Sequence, residues 1–255
     1  MKVSTGCYPI WFRQDLAREQ AQAYWRGRHA QIAGNNPAIL EYLQHHFSQD
    51  GHGFWPVSGM IGGMIPPDWA MDGVTEVRIG SMWTAICSRL LRMKANVLDE
   101  QNVFERVLAK NSAPGGSGWW SGPYRSDTGF RAAVFLRARS DSRGRPFKYF
   151  VEQALAPALM AAGVSELRTH VFTRGSRLAW WTPGVRHDEP ANHYADAMLL
   201  IGAQSRETLM ELLDSEIMTA TQAEQQAHCV AIHAYAIEQT YPIVLDYQRQ
   251  PINWN

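Results

Sequence analysis

The chain has 255 residues, enough to bury roughly 70–75% of its unfolded surface in a hydrophobic core, and its 24 Lys and Arg balance 24 Asp and Glu with no block of like charge. That balance offers a phosphate backbone no counterion-releasing stripe, which argues against nucleic acid as a partner, and no apolar run reaches the ~18–20 residues of a bilayer span. Cys7, Cys87 and Cys229 lie too far apart for a disulfide framework or a zinc site, and the N-terminus lacks a charged-then-apolar leader, so a reduced, cytoplasmic setting is expected.

In chain order, 5–13 reads as a strand, followed by a helix that starts near Asp15 and stops at Gly34. A second strand, 38–47, leads into a Gly/Pro/Trp-rich insertion, 48–73. A third strand over 72–81 precedes a helical region at 99–110, and 111–129 has the composition of a linker. The second half repeats the order: a strand at 131–139, a helix from Pro146 to Gly163, a strand at 166–172, an insertion at 173–196, a strand at 194–203, a helix at 205–216 and a final strand at 228–238. The order is β-α-β-β-α-β, with the first half's last strand left unlocated.

The halves are also alike residue by residue. Residues 23–47 lie over 148–172 at a constant offset of 125, pairing Tyr24 with Tyr149, Trp25 with Phe150, Glu41 with Glu166, His45 with His170 and Phe47 with Phe172. A second anchor sets 72–81 over 194–203. The expected domains are a first ferredoxin-like unit, 1–115, a linker, 116–129, a second and degenerate unit, 130–245, and a tail, 246–255. A four-stranded sheet with helices on one face leaves the other face bare. The expected fold class is therefore α+β: two tandem ferredoxin-like units packed sheet to sheet as an α+β barrel.

Candidate chemistry concentrates in the first unit. Trp25 and His29 are i and i+4 on the first helix, beside a stripe of Leu16, Gln20, Ala23, Gly27 and Ala30 expected to pack on the sheet. His29 is thus either a helix-end histidine favoured by the dipole or a pocket residue. Period-2 alternation puts Tyr42, Gln44 and His46 on one strand face, as a pocket wall or a solvated edge. Glu41 and His45 fall on the other parity and recur as Glu166 and His170, which favours a structural role where the sheets meet. The 48–73 insertion carries Trp55, Met64 and Trp69 among its glycines and prolines, and reads either as a lid over a hydrophobic ligand or as a loop packed on the partner unit. The His/Asp-rich stretches 45–52 and 187–193 have no recognised ligand spacing, so no metal is expected. There is neither a phosphate loop nor a Gly-x-Ser-x-Gly turn.

Tyr24, Trp25, His29 and Ala30 on the helix, Tyr42, Gln44 and His46 on the strand, and Asp72, Gly73 and Glu76 beyond it resemble the EthD-domain family of the dimeric α+β barrel superfamily. The resemblance covers roughly 5–110; Gln31 stands where the family usually has Pro, and Ala154 stands opposite His29 in the second unit. It implies a ferredoxin-like fold and small pockets between helices and sheet that serve dehydratases, decarboxylases, cyclases and cofactor-free oxygenases, while some relatives bind haem. The resulting expectation is a cofactor-independent lyase or isomerase acting on a hydrophobic, aromatic small molecule. His29, His46 and Tyr42 would be catalytic, since histidine exchanges protons near neutral pH. Tyr8, Tyr24, Trp25, Gln44, Trp55, Met64, Trp69 and Glu76 would bind substrate. A non-catalytic binder and a haem enzyme with His29 as axial ligand stay open as alternatives, as does a homodimer through the Trp-rich insertions.

Overall fold

The computed structural model describes residues 4–80, 95, 98–173 and 182–251. Cys87 and Trp180 and Trp181 of the second insertion lie outside them. The first unit contributes β1 (Ser4–Phe12), a helical rod made of α1 (Arg18–Tyr24), a π-turn (Trp25–His29) and α2 (Ala30–Ala33), then β2 (Ile39–Phe47), β3 (Gly73–Ile79), β4 (Phe104–Val107) and β5 (Lys110–Trp119). The second contributes β6 (Phe130–Ala138), a rod of α3 (Arg145–Tyr149), a π-turn (Phe150–Leu155) and α4 (Ala156–Ala162), then β7 (Glu166–Phe172), β8 (Ala197–Ala203), α5 (Arg206–Leu213), α6 (Glu216–Thr219), α7 (Gln222–His228), β9 (Cys229–Leu245) and β10 (Gln248–Arg249).

Both rods end where the glycines predicted. Gly163 takes φ 103°, a left-handed turn that side chains resist, and the amides of Gly163 and Val164 close on Leu159 and Met160.

All pairings between the named strands are antiparallel, and the sheet closes on itself in the order β9-β2-β3-β1-β5-β7-β8-β6, with β6 returning to β9. Two long strands make the closure. β9 pairs with β6 along its first half and with β2 along its second. β5 touches β1 at Lys110 and Asn111 and then runs along β7. Each unit thus ends in a strand that finishes the other unit's sheet, and the two bare faces cover each other as the sequence predicted.

Alternation assigns the layers. On β8, Ala197, Leu199 and Ile201 join the helix-side core of the second unit, while Met198 and Leu200 enter the barrel interior with Cys7, Phe47, Val74 and Tyr235.

Three expectations are corrected here. The stretch 99–110 is helical only as far as Glu100 and then forms β4 and the start of β5. Its apolar spacing fits a helix, but pairing with β1 (Ile10 opposite Val107) buries Val103, Phe104 and Val107 beneath the rod, and that burial overrides local preference. The start of the expected linker, 116–119, belongs to β5, the strand the sequence left unlocated. The second repeat anchor is also shifted: Asp72 corresponds to Asp196, not to Tyr194. Asp72 accepts the Phe12 amide (2.7 Å) and pairs with Arg18; Asp196 accepts the Ala138 amide (2.9 Å) and pairs with Arg143 (2.8 Å). No described helix is long and apolar enough to cross a membrane.

Candidate active site on the first unit

The π-turn inserts an extra residue into the rod and rotates the residues after it by about 100°. The row facing the sheet is Ala21, Trp25 and His29, with Gly27 and Ala30 beside it; Gln20, assigned to the packing stripe, is exposed. The second rod has the same π-turn at the same place, so this widening belongs to the fold and not to the first unit alone.

Tyr42, Gln44 and His46 do share the face of β2 beneath this rod. The Trp25 indole stacks on the His46 imidazole (centroids 4.1 Å apart, planes 18°), and Tyr241 closes the other side edge-on at 4.8 Å. Gln44 spends its two amide hydrogens on the Trp25 carbonyl (3.0 Å) and the Tyr42 hydroxyl (2.8 Å), which turns its oxygen toward His46 Nε2 at 3.4 Å. The proton of a neutral His46 is thereby assigned to Nε2 and the lone pair to Nδ1. Burial, with the charges of Arg26 and Arg18 adding to it, holds the His46 pKa well below that of a free imidazole, so the ring is neutral at pH 7. Burial likewise raises Tyr42, against the pull of hydrogen bonds with Gln44 and Thr75, and keeps the phenol protonated.

His29 lies on the same side of the sheet but does not meet His46; Trp25 and Phe104 stand between the rings. Its Nδ1 donates to Asp99 Oδ2 at 2.9 Å, and the Tyr24 hydroxyl donates to Asp99 Oδ1 at 2.6 Å. Burial pushes the Asp99 carboxyl up, but these two bonds outweigh it and hold the carboxylate below its ordinary range. His29 is 6% exposed and His46 2% exposed. The expected single pocket containing both imidazoles is replaced by two adjoining clusters.

The remaining candidates divide. Tyr8 packs on the cluster of Ile10, Phe12 and Trp25. Glu76, expected near the histidines, points into the barrel instead, because its parity on β3 is that of Val74. There it accepts from His170 (2.7 Å) and Arg168 (3.1 Å), with His45 at 3.5 Å and Arg168 also on Glu41 (3.1 Å). Burial alone would raise Glu76; Arg168 first, then the histidine bonds, reverse it and keep the carboxylate well below its usual pKa. The duplicated Glu41/His45 and Glu166/His170 do meet where the sheets join, but no feature of the sequence pointed to Arg168 and Glu76 as their common partners.

The 48–73 loop does not roof the histidines. Trp55 and Ile61 enter the second unit's core, Trp55 donating to Gln225 (3.0 Å), and Gly62 pairs beside Ala231. Met64 is 87% exposed. Trp69 instead stacks on His193 (4.5 Å) at one mouth of the barrel, beside a cleft of about 410 Å³ that Trp11, Phe12, Asp68, Asp72, Arg106 and Arg186 help to line. Neither His29 nor His46 borders this cleft, so it lends no support to haem ligation by His29.

No family model matches the chain, and no curated protein matches it in sequence. Solved structures do match its fold. A candidate monooxygenase from Lactobacillus acidophilus is similar over 96% of this chain and 100% of its own, at a TM-score of 0.57 and 7% identity. An anthrone oxidase-like protein is similar over 95% and 94%, at 0.59 and 8%. A candidate monooxygenase from Fusobacterium nucleatum covers 92% and 91%, at 0.54 and 7%. The α+β fold, with one antiparallel sheet closed on itself and helices outside, is thus shared with these structures. At these identities the likeness carries the fold and no residue roles.

Proposed function

We propose that the helix–sheet layer of the first unit is the site of a cofactor-independent acid–base enzyme, a lyase or isomerase, acting on a hydrophobic aromatic molecule. One observation carries the reading. The first unit sinks Tyr42, Gln44, His46 and His29 into a layer that the second unit fills with Leu167, Thr169, Val171 and Ala154 on the same backbone. Burying polar groups costs stability unless they are bonded, and the second unit shows that the fold does not require them. The Tyr42–Gln44 relay fixes the His46 tautomer, leaving Nδ1 as proton acceptor; Asp99 similarly fixes His29 with its proton on Nδ1.

The resemblance of 5–110 to EthD-domain proteins supports the same reading, with Trp25, Tyr8 and Tyr24 as ring-binding residues. The anthrone oxidase-like neighbour is compatible with an aromatic substrate class. Deuterium uptake from heavy water into a panel of aryl ketones detects proton abstraction without knowledge of the bond finally broken. The protein should promote uptake, and His46→Gln should lower the rate by roughly 10²–10⁴-fold. Uptake at the wild-type rate in a folded His46→Gln protein would refute the assignment.

A further inference from the structure

One half-buried cation among the described residues stands without an ion pair, a hydrogen bond or an aromatic face. Every other arginine there that is not exposed has at least one of these. Arg137 on β6 has none. Its Nε is buried and unpartnered, whereas its two Nη groups, equally unbonded, are not sealed in and reach the surface. Holding a guanidinium partly out of water costs stability unless its donors are met, so an open fork here points to an acceptor that the chain does not supply.

A second donor stands beside it. On the paired strands β6 and β9, Arg137 lies opposite Ala231 and His233 lies opposite Phe135, which makes Arg137 and His233 diagonal neighbours on the face that carries Phe135 and Tyr235 into the barrel. Both sit at the rim, where β6 ends and β9 begins. His233 makes no hydrogen bond with a described residue, and neither of its ring nitrogens is sealed from solvent. Burial first, then the Arg137 charge, then His193, pull its pKa down to about 4, so at pH 7 it is a neutral ring with one N–H to give.

The surrounding charges favour an anion. Of the two groups that act on Arg137, Asp196 and Arg143, the carboxylate is already bound to the other (2.8 Å) and to the Ala138 amide (2.9 Å). The charged and titratable groups that act on His233 are Arg137 and His193, with no described carboxylate among them. Asp68 acts on His193, but burial, Arg137 and Arg106 outweigh it and lower that ring as well. An uncompensated guanidinium offers a fork for two oxygens, and two imidazoles that can each take up a proton suit a doubly charged ligand better than a single carboxylate.

We propose that the Arg137–His233 rim binds a dianionic oxyanion group, a sulfate or a phosphate ester, with two oxygens on the Arg137 Nη pair and a third on the His233 imidazole. The atoms it uses are already at the surface. The inference is independent of the acid–base site, since it concerns anion binding at the barrel rim and not proton transfer at His46.

The test follows the histidine ring signals of the full chain by NMR through a pH titration, in sodium sulfate and in sodium chloride of equal ionic strength. Sulfate should raise the His233 pKa by roughly one pH unit or more, the usual effect of an opposite charge brought within ~4–6 Å. His52, whose ring accepts from the Ala236 amide and lies against Tyr235, should not move. Arg137→Gln should abolish the sulfate effect and by itself raise the His233 pKa, because the repelling charge is gone. Above pH ~7, where sulfate and methyl phosphate are both dianions, the tighter of the two identifies the group the site is built for, and acetate should bind roughly ten-fold more weakly than either. An unmoved His233 in sulfate, an equal rise at His52, a sulfate effect that survives in Arg137→Gln, or equal binding of acetate would each overturn it.

Discussion

The two units share a backbone and differ in what they bury. Both have a rod widened by a π-turn, a glycine at its end, and an Asp–Arg latch holding the next strand to the first, Asp72 with Arg18 and Asp196 with Arg143. Under its rods the second unit builds one continuous apolar cluster, whereas in the first the Tyr42, Gln44, His46 stripe runs between two smaller ones. The barrel interior shows the opposite relation, since there the units complement each other. Leu43 faces Glu76 across β2 and β3, the corresponding pair on β7 and β8 is Arg168 and Leu200, and the two charges meet in the middle. Equivalent positions thus diverged in two ways, toward mutual neutralisation inside the barrel and toward an unmatched polar stripe outside it.

Four experiments would break or sharpen that comparison. The largest effect is expected from giving the first unit the second unit's residue: His46→Val should lower the proton-exchange rate by roughly 10²–10⁴-fold while leaving the melting temperature unchanged or higher, because an apolar side chain suits the layer. A fall of several degrees would instead make His46 structural. Next, Arg168→Met should cost about 3–5 kcal/mol in urea unfolding, since Glu41 and Glu76 lose their buried counter-charge. A loss under ~1 kcal/mol would mean that the two units do not depend on this contact.

Smaller effects test the shared latch and the stripe's electrostatics. Asp196→Asn and Asp72→Asn should each cost about 1.5–3 kcal/mol, with Asp196→Asn the greater because its carboxylate is the more buried of the two. The reverse order, read from urea midpoints, would contradict the equivalence of the latches. The least effect is in pH. The folded-state pKa of His46 is depressed, so below the unfolded value of ~6.5 the unfolded chain takes up a proton that the folded chain refuses, and stability falls as pH falls. His46→Val removes that contribution. Between pH 6.5 and 5.5 the variant should therefore gain up to about 1 kcal/mol relative to wild type, with His52, His193 and His233 common to both proteins and cancelling in the difference. Parallel pH–stability curves would show that His46 titrates normally.

The sequence alone determined the repeat, the α+β class, the closing of two sheets on each other, both helix ends and the shared face of Tyr42, Gln44 and His46. Each of these rests on local periodicity, turn chemistry or self-similarity, which a chain carries in its own order of residues. Tertiary structure decided the rest. Only pairing with β1 shows 104–107 to be a strand, because its apolar spacing fits either element. The docking of the rod on the sheet, invisible in composition, left Gln20 exposed and buried Ala21, and the π-turn changed the phase of the residues that follow it. Glu76 left the expected site because strand parity separates near neighbours onto opposite faces, and its partner Arg168 is 92 residues away. Trp55 and Trp69, carried by one loop, serve different cores because the loop crosses between units. Long-range partners are chosen by the closure of the barrel, and that choice becomes visible only when the strands have met.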